Sequence, residues 1–264
     1  MHTVVITMIV IVLIGVAVVL ATHSLFTYRP LATVLRVGGL LSALTALTIG
    51  VHAHGWVTNL DAAASKWAVG QRSWSLDIAT RMIGEYGHPA TAVALTLISA
   101  AWLSHRARSV VPGAVVLGTV VAATVTKTVL KAVVLRPRSS AEAQLVVHHF
   151  GPTGQHMFPS GHVTGTGALL GSIAVCLGVG RSRAVRTLLA GVVGVSVLVM
   201  AVTLVHVGVH WLTDVIGGAL LAALFVTLGA EVIRYFHFRS ARNAAQYGAH
   251  ARSTTDVAVV SAGR

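Results

Sequence analysis

Three short stretches of this sequence hold residues able to do chemistry together. Lys-Ala-Val-Val-Leu-Arg-Pro-Arg (131–138) offers cations, with Lys131 and Arg138 on one side if a helix runs through. Phe-Pro-Ser-Gly-His (158–162) reads as a helix start. Ser160 fits the N-cap and Pro159 fits just outside it. The free amides of Gly161 and His162 then suit an anion, phosphate above all, and His162 exchanges a proton near neutral pH. His-Val-Gly-Val-His-Trp-Leu-Thr-Asp (206–214) sets His210 four residues before Asp214. A carboxylate accepting one ring N–H fixes the tautomer and leaves the other nitrogen as a nucleophile. Arginine grips phosphate oxygens in a fork and lysine adds a point charge. The set reads as phosphoryl transfer through a histidine, with no metal and no cofactor. The plainer alternatives are a capped helix with a chance histidine at 162 and a structural His–Asp pair at 210 and 214.

Something must bring these stretches together, and composition says what. The chain has 264 residues, 55% hydrophobic and 10% charged. A soluble domain carries about 25% charged residues, so the deficit points to the bilayer. Seven apolar stretches, near 3–22, 31–51, 89–104, 109–130, 161–179, 187–207 and 213–235, approach the roughly 20 residues of a membrane helix. No alternating pattern favours a barrel. The expected fold is all-α, a polytopic transmembrane bundle of about seven helices: a six-helix core near 31–235 plus an N-terminal helix. That first stretch has no Lys or Arg before it and reads as a retained helix rather than a signal peptide. One membrane domain spans 1–237, and the polar residues 238–264 read as a disordered cytoplasmic tail.

The formal charge of +12 does not signal nucleic acid. Arg29, Arg36, Arg106, Arg108, Arg181, Arg183, Arg186, Arg234, Arg239, Arg242 and Arg252 fall on one face of an alternating bundle. Positive residues mark the cytoplasmic side. The expected orientation has the N-terminus outside, the C-terminus cytoplasmic and the three chemical stretches outside, in a cell membrane. Segment 52–88, with Asp61, Lys66, Arg72, Asp77, Arg81 and Glu85, reads as one or two interfacial helices and a solvated, charge-balanced connector. The single Cys176 excludes an internal disulfide and a cysteine-rich metal site. His148, His149 and His156 fit no usual zinc spacing and read as headgroup or water contacts.

The ordered motifs resemble the type 2 phosphatidic acid phosphatase (PAP2) superfamily of integral membrane lipid phosphate phosphatases. Its pattern is Lys-x6-Arg-Pro, Pro-Ser-Gly-His, then Ser-Arg-x5-His-x3-Asp. Lys131 and Arg138 match the first motif with Ser139 in place of proline; Pro159 to His162 match the second; His210 and Asp214 match the end of the third. The resemblance implies that His210 attacks phosphorus, Asp214 orients it and His162 protonates the leaving oxygen. It implies that Lys131, Arg138, Ser160 and Gly161 hold the phosphoryl oxygens. The third motif's Ser-Arg pair is Thr203-Leu204 here, so one phosphate ligand is missing. His206 and Arg136 are candidate substitutes, His206 equally a polar residue ending its helix, and Leu204→Arg is expected to raise activity if the pocket lacks a cation. The implied substrates are phosphatidic acid, phosphatidylglycerol phosphate or a polyprenyl diphosphate, with membrane lipids as the other partners. The competing expectation is an impaired relative that binds or moves phospholipids. The sequence sets neither substrate nor oligomeric state.

Overall fold

A computed structural model describes residues 30–53, 57–71, 89–137 and 156–262, with side chains given as far as residue 242. Among these residues there are seven helices and no strand: α1 (Pro30–His52), α2 (Val57–Gly70), α3 (Pro89–Ala107), α4 (Val111–Val134), α5 (Gly161–Gly178), α6 (Arg183–His206) and α7 (Leu212–Ala262). Six of the seven apolar stretches thus form helices. The 3–22 stretch, residues 72–88, Arg138, His148 and His149 lie outside the described residues.

Five helices are long and apolar enough to cross a membrane, over Ala32–His52, Val111–Val134, Gly161–Gly178, Arg183–His206 and Leu212–Arg239. The α3 helix is not among them; its last turn is polar, with Ser104, His105 and Arg106. Large apolar side chains face outward in stripes, as lipid exposure requires. On α4, Val121, Val125, Val129 and Val133 form such a stripe. Residues 127 and 131 lie on the opposite face, because two residues turn a helix by about 200°.

The centre of the bundle is α5 against α7. Glycines let these backbones close: a Cβ at Gly167 or Gly171 would overlap Ala222 or Val226. Small residues at such crossings are how membrane helices approach closely. The main apolar cluster joins Val163 of α5, Val193, Val197, Met200 and Leu204 of α6, and Leu212, Val215 and Ala219 of α7. Ala64 of α2 belongs to the same cluster, so the short amphipathic helix is packed into the bundle.

Residues 238–262 depart from the expected disordered tail: α7 continues to Ala262. The sequence argument used the missing apolar stripe, which decides whether a helix is packed. Backbone preference is a separate matter, and this stretch is rich in Ala and Arg with no proline, which favours helix.

Candidate active site

Chain alternation puts the C-terminal ends of α4 and α6 and the N-terminal ends of α5 and α7 at one end of the bundle. Each of these ends is shaped by local chemistry. The α4 helix stops at Val134 because Leu135 takes a left-handed conformation, φ 52°, its amide bonded to the Lys131 carbonyl. Arg136 precedes Pro137, which disfavours helical backbone there. The expectation that the helix runs on to Arg138 is therefore corrected; the chain turns inward at Arg136. The returning segment is held by Met157 N–H donating to the Arg136 carbonyl at 3.0 Å.

The α6 helix ends in a Schellman turn. Val209 N–H donates to the Leu204 carbonyl at 3.1 Å and Gly208 N–H to the Val205 carbonyl at 3.1 Å. Gly208 has φ 72°, a conformation open to glycine and costly for other residues. The turn is tight enough for His210 N–H also to reach the Leu204 carbonyl, at 3.2 Å. His210 is thereby aimed at the first turn of α7.

In that turn Asp214 does several things at once. Its Oδ2 accepts the Trp211 amide at 3.0 Å, a third-residue carboxylate reaching back to the N-cap. The same oxygen lies 3.3 Å from His210 Nδ1. Its backbone carbonyl accepts the Ser160 amide at 2.9 Å, so the starts of α5 and α7 are tied directly. The His162 and His210 rings stand edge to face with centroids 6.4 Å apart. Both His210 and Asp214 are buried, Asp214 completely.

Ser160 sits at the N-cap position of α5 with extended backbone, yet its hydroxyl makes no capping bond. The residue is fully buried, and Oγ finds no hydrogen-bond partner among the described residues. The position is the N-cap that the sequence predicts, but the hydroxyl makes no capping bond and is left over for another acceptor or donor. Gly161 follows, and a Cβ there would touch Lys127, 3.4 Å from Cδ and 3.5 Å from Nζ. Lys131, one turn further along α4, donates from Nζ to the His156 carbonyl at 2.5 Å. In the sequence Lys127 stands out only as a cation one turn before Lys131; lying outside any motif, it was given no role in the site.

The structure thus brings together Lys131, Ser160, Gly161, His162, His210 and Asp214 at one end of the bundle. His206 is buried one turn before His210. Arg136 is not a free cation for an anion. It is buried, with Nη1 donating to Asp214 Oδ1 at 2.6 Å and to Thr213 Oγ1 at 2.5 Å, and Nη2 donating to Asp61 Oδ2. Leu204, at the position of the missing arginine, is fully buried in the apolar cluster. Among the described residues no group of three or more His, Cys, Asp or Glu side chains is placed to hold a metal ion.

Asp61 was misjudged. It is not part of a solvated connector but 1% exposed. It accepts the Thr213 amide and hydroxyl, each at 2.8 Å, besides Arg136. Burial pushes its carboxyl above the ordinary range, against the pull of Arg136 and the Thr213 donors. A signal existed: Val57, Asp61, Ala64 and Ala68 form one buried stripe of α2, and a carboxylate within an apolar stripe needs a partner.

The PAP2 superfamily model matches residues 112–238, which run from the first turn of α4 to the middle of α7 and include every residue of the cluster except Asp61. These residues are thus similar in sequence to that superfamily. The PAP2 fold also appears in a solved structure, the transmembrane PAP2-type phosphatidylglycerolphosphate phosphatase from Bacillus subtilis. That chain is 24% identical, with a TM-score of 0.62 over 74% of this chain and 94% of the other. The likeness establishes the fold. No curated protein sequence matches.

Proposed function

We propose that this protein is a PAP2-type membrane phosphatase that hydrolyses a lipid phosphate or diphosphate at the outer face through a phosphohistidine at His210. The observation that carries the reading is the pairing of His210 Nδ1 with Asp214 at 3.3 Å, next to a helix start whose buried Ser160 hydroxyl lacks a partner. Nδ1–H donating to the carboxylate leaves the Nε2 lone pair to attack phosphorus. The P–O bond to the lipid breaks as the P–N bond forms. His162 gives its proton to the departing oxygen, then takes one from the water that cleaves the P–N bond. Ser160 Oγ, the Gly161 amide, Lys131 and Arg138 meet the phosphoryl oxygens as charge builds. No step needs a metal.

Substrate class follows from the position of the site at the bundle end, where a lipid headgroup arrives with its tails still in the bilayer. Phosphatidylglycerol phosphate, phosphatidic acid and polyprenyl diphosphate all fit, and the B. subtilis likeness makes the first a natural starting point. The excess of arginine at the opposite bundle end supports an outward-facing site in a cell membrane.

The test is phosphate release by purified protein in detergent with chelator, from those three lipids. We expect release by the wild type, loss in His210→Ala, and an acid-labile phosphoenzyme from labelled substrate. Release that persists in His210→Ala overturns the mechanism. Leu204 favours a second reading, an impaired relative that binds or moves phospholipids. Lipid binding by the wild type with no release from any substrate would establish that reading instead.

A further inference from the structure

The PAP2-matched segment does not contain the whole site. We propose that Asp61, on the short helix α2, is a positioning residue for the His210–Asp214 pair and acts through Arg136. The inference rests on the proposed hydrolase chemistry for its kinetic consequence but not for its physical one.

The chain of contacts is continuous. Asp214 Oδ2 faces His210 Nδ1, and Asp214 Oδ1 receives Arg136 Nη1. The other arm of Arg136 meets Asp61 Oδ2. Thr213 closes the ring: its hydroxyl accepts from Arg136 and donates to Asp61, and its amide donates to Asp61 Oδ1. Trp211 shelters the assembly, with its ring 5.4 Å from the guanidinium carbon and its indole N–H on the Pro137 carbonyl at 3.3 Å.

Charge explains why a second carboxylate is needed. An arginine bonded to Asp214 alone would draw that carboxylate's charge away from His210 and leave its own far arm unpaired in a dry site. A buried charge without a partner is strongly unfavourable. Asp61 satisfies that arm and restores negative charge near the imidazole. Asp61 also holds the Thr213 amide in the first turn of α7, so it fixes the backbone that carries Asp214. Binding by carboxylate of an unsatisfied amide at a helix start is the usual use of an acidic group there, supplied here by another helix.

The test is Asp61→Asn. Removing the negative charge lowers the basicity of His210. The other charged or titratable groups on the elements around that ring are Asp214, His162, Lys131, His206 and Arg136, and the substitution removes none of them. The acid limb of the pH profile of kcat/KM is expected to move down by roughly half a unit to one unit. We expect kcat to fall about ten- to a hundredfold through misplacement of Asp214, with KM within about twofold. The ring titration of His210, followed by NMR with labelled histidine and assigned through His210→Asn, moves in the same direction. It is read without turnover. A chain that hydrolyses nothing therefore refutes the proposed function, while the titration still decides this inference. Thr213→Val, nearly isosteric, removes the bridging hydroxyl and is expected to give a smaller shift of the same sign; it decides the matter if Asp61→Asn fails to fold. In an Arg136→Gln background Asp61→Asn should add a clearly smaller shift, that of the direct charge effect alone. An unmoved His210 titration in the folded variant, or an equal extra shift without Arg136, overturns the proposal.

Discussion

Ser160→Ala separates two jobs that one hydroxyl can do at a helix start. If the hydroxyl caps α5, its loss costs about 1 kcal/mol of stability. The structure argues otherwise, because Ser160 is fully buried and its Oγ makes no capping bond. A buried hydroxyl without a partner is unfavourable by roughly 1–3 kcal/mol. Removing it should therefore stabilise the ligand-free protein by about 1 kcal/mol, a rise of about 2–4 °C in Tm for a chain of this size. The same hydroxyl facing a charged phosphoryl oxygen is worth about 1.5–3 kcal/mol, so kcat/KM should fall about ten- to a hundredfold. Thermal unfolding in detergent and phosphate release are the paired assays. Ser182→Ala is the control: that hydroxyl does accept the Val185 amide at the start of α6, at 3.5 Å. It should lower Tm and spare activity. A fall in Tm for Ser160→Ala, or unchanged kcat/KM, refutes the assignment.

Two further predictions concern the missing arginine. Lys127, beside Gly161, stands where a cation can meet a phosphoryl group at the α5 start. Lys127→Ala should raise KM about tenfold in phosphate-release assays, with Lys127→Arg largely restoring it; an unchanged KM removes Lys127 from the site. Leu204→Arg, expected from sequence to raise activity if the pocket lacks a cation, should instead lower Tm and activity. Its guanidinium would enter an apolar cluster with no carboxylate assigned to it, at a cost of about 3 kcal/mol or more. Higher activity at unchanged Tm would show that the side chain turns into the pocket.

Much of this protein was legible in the sequence. Low charge and long apolar runs required a helical membrane bundle, because a backbone in lipid must bond to itself. Pro159 to His162 and the His210–Asp214 spacing were readable because they act locally, within one turn. Helix alternation alone then placed them at the same end of the bundle. Gly208, the pivot that aims His210, was also on view as a glycine just past a helix end.

Other features depended on partners remote in the chain. Asp61 looked like one charge in a balanced connector until α2 packed against α6 and α7 and left it facing Arg136, 75 residues away. Arg136 looked like a spare phosphate ligand until two carboxylates claimed it. Ser160 looked like a cap until its hydroxyl was seen to make no such bond. Residue type and spacing tell what a side chain is able to do. Which of its capacities is used depends on the groups that surround it once water is excluded, and only the tertiary structure supplies those groups.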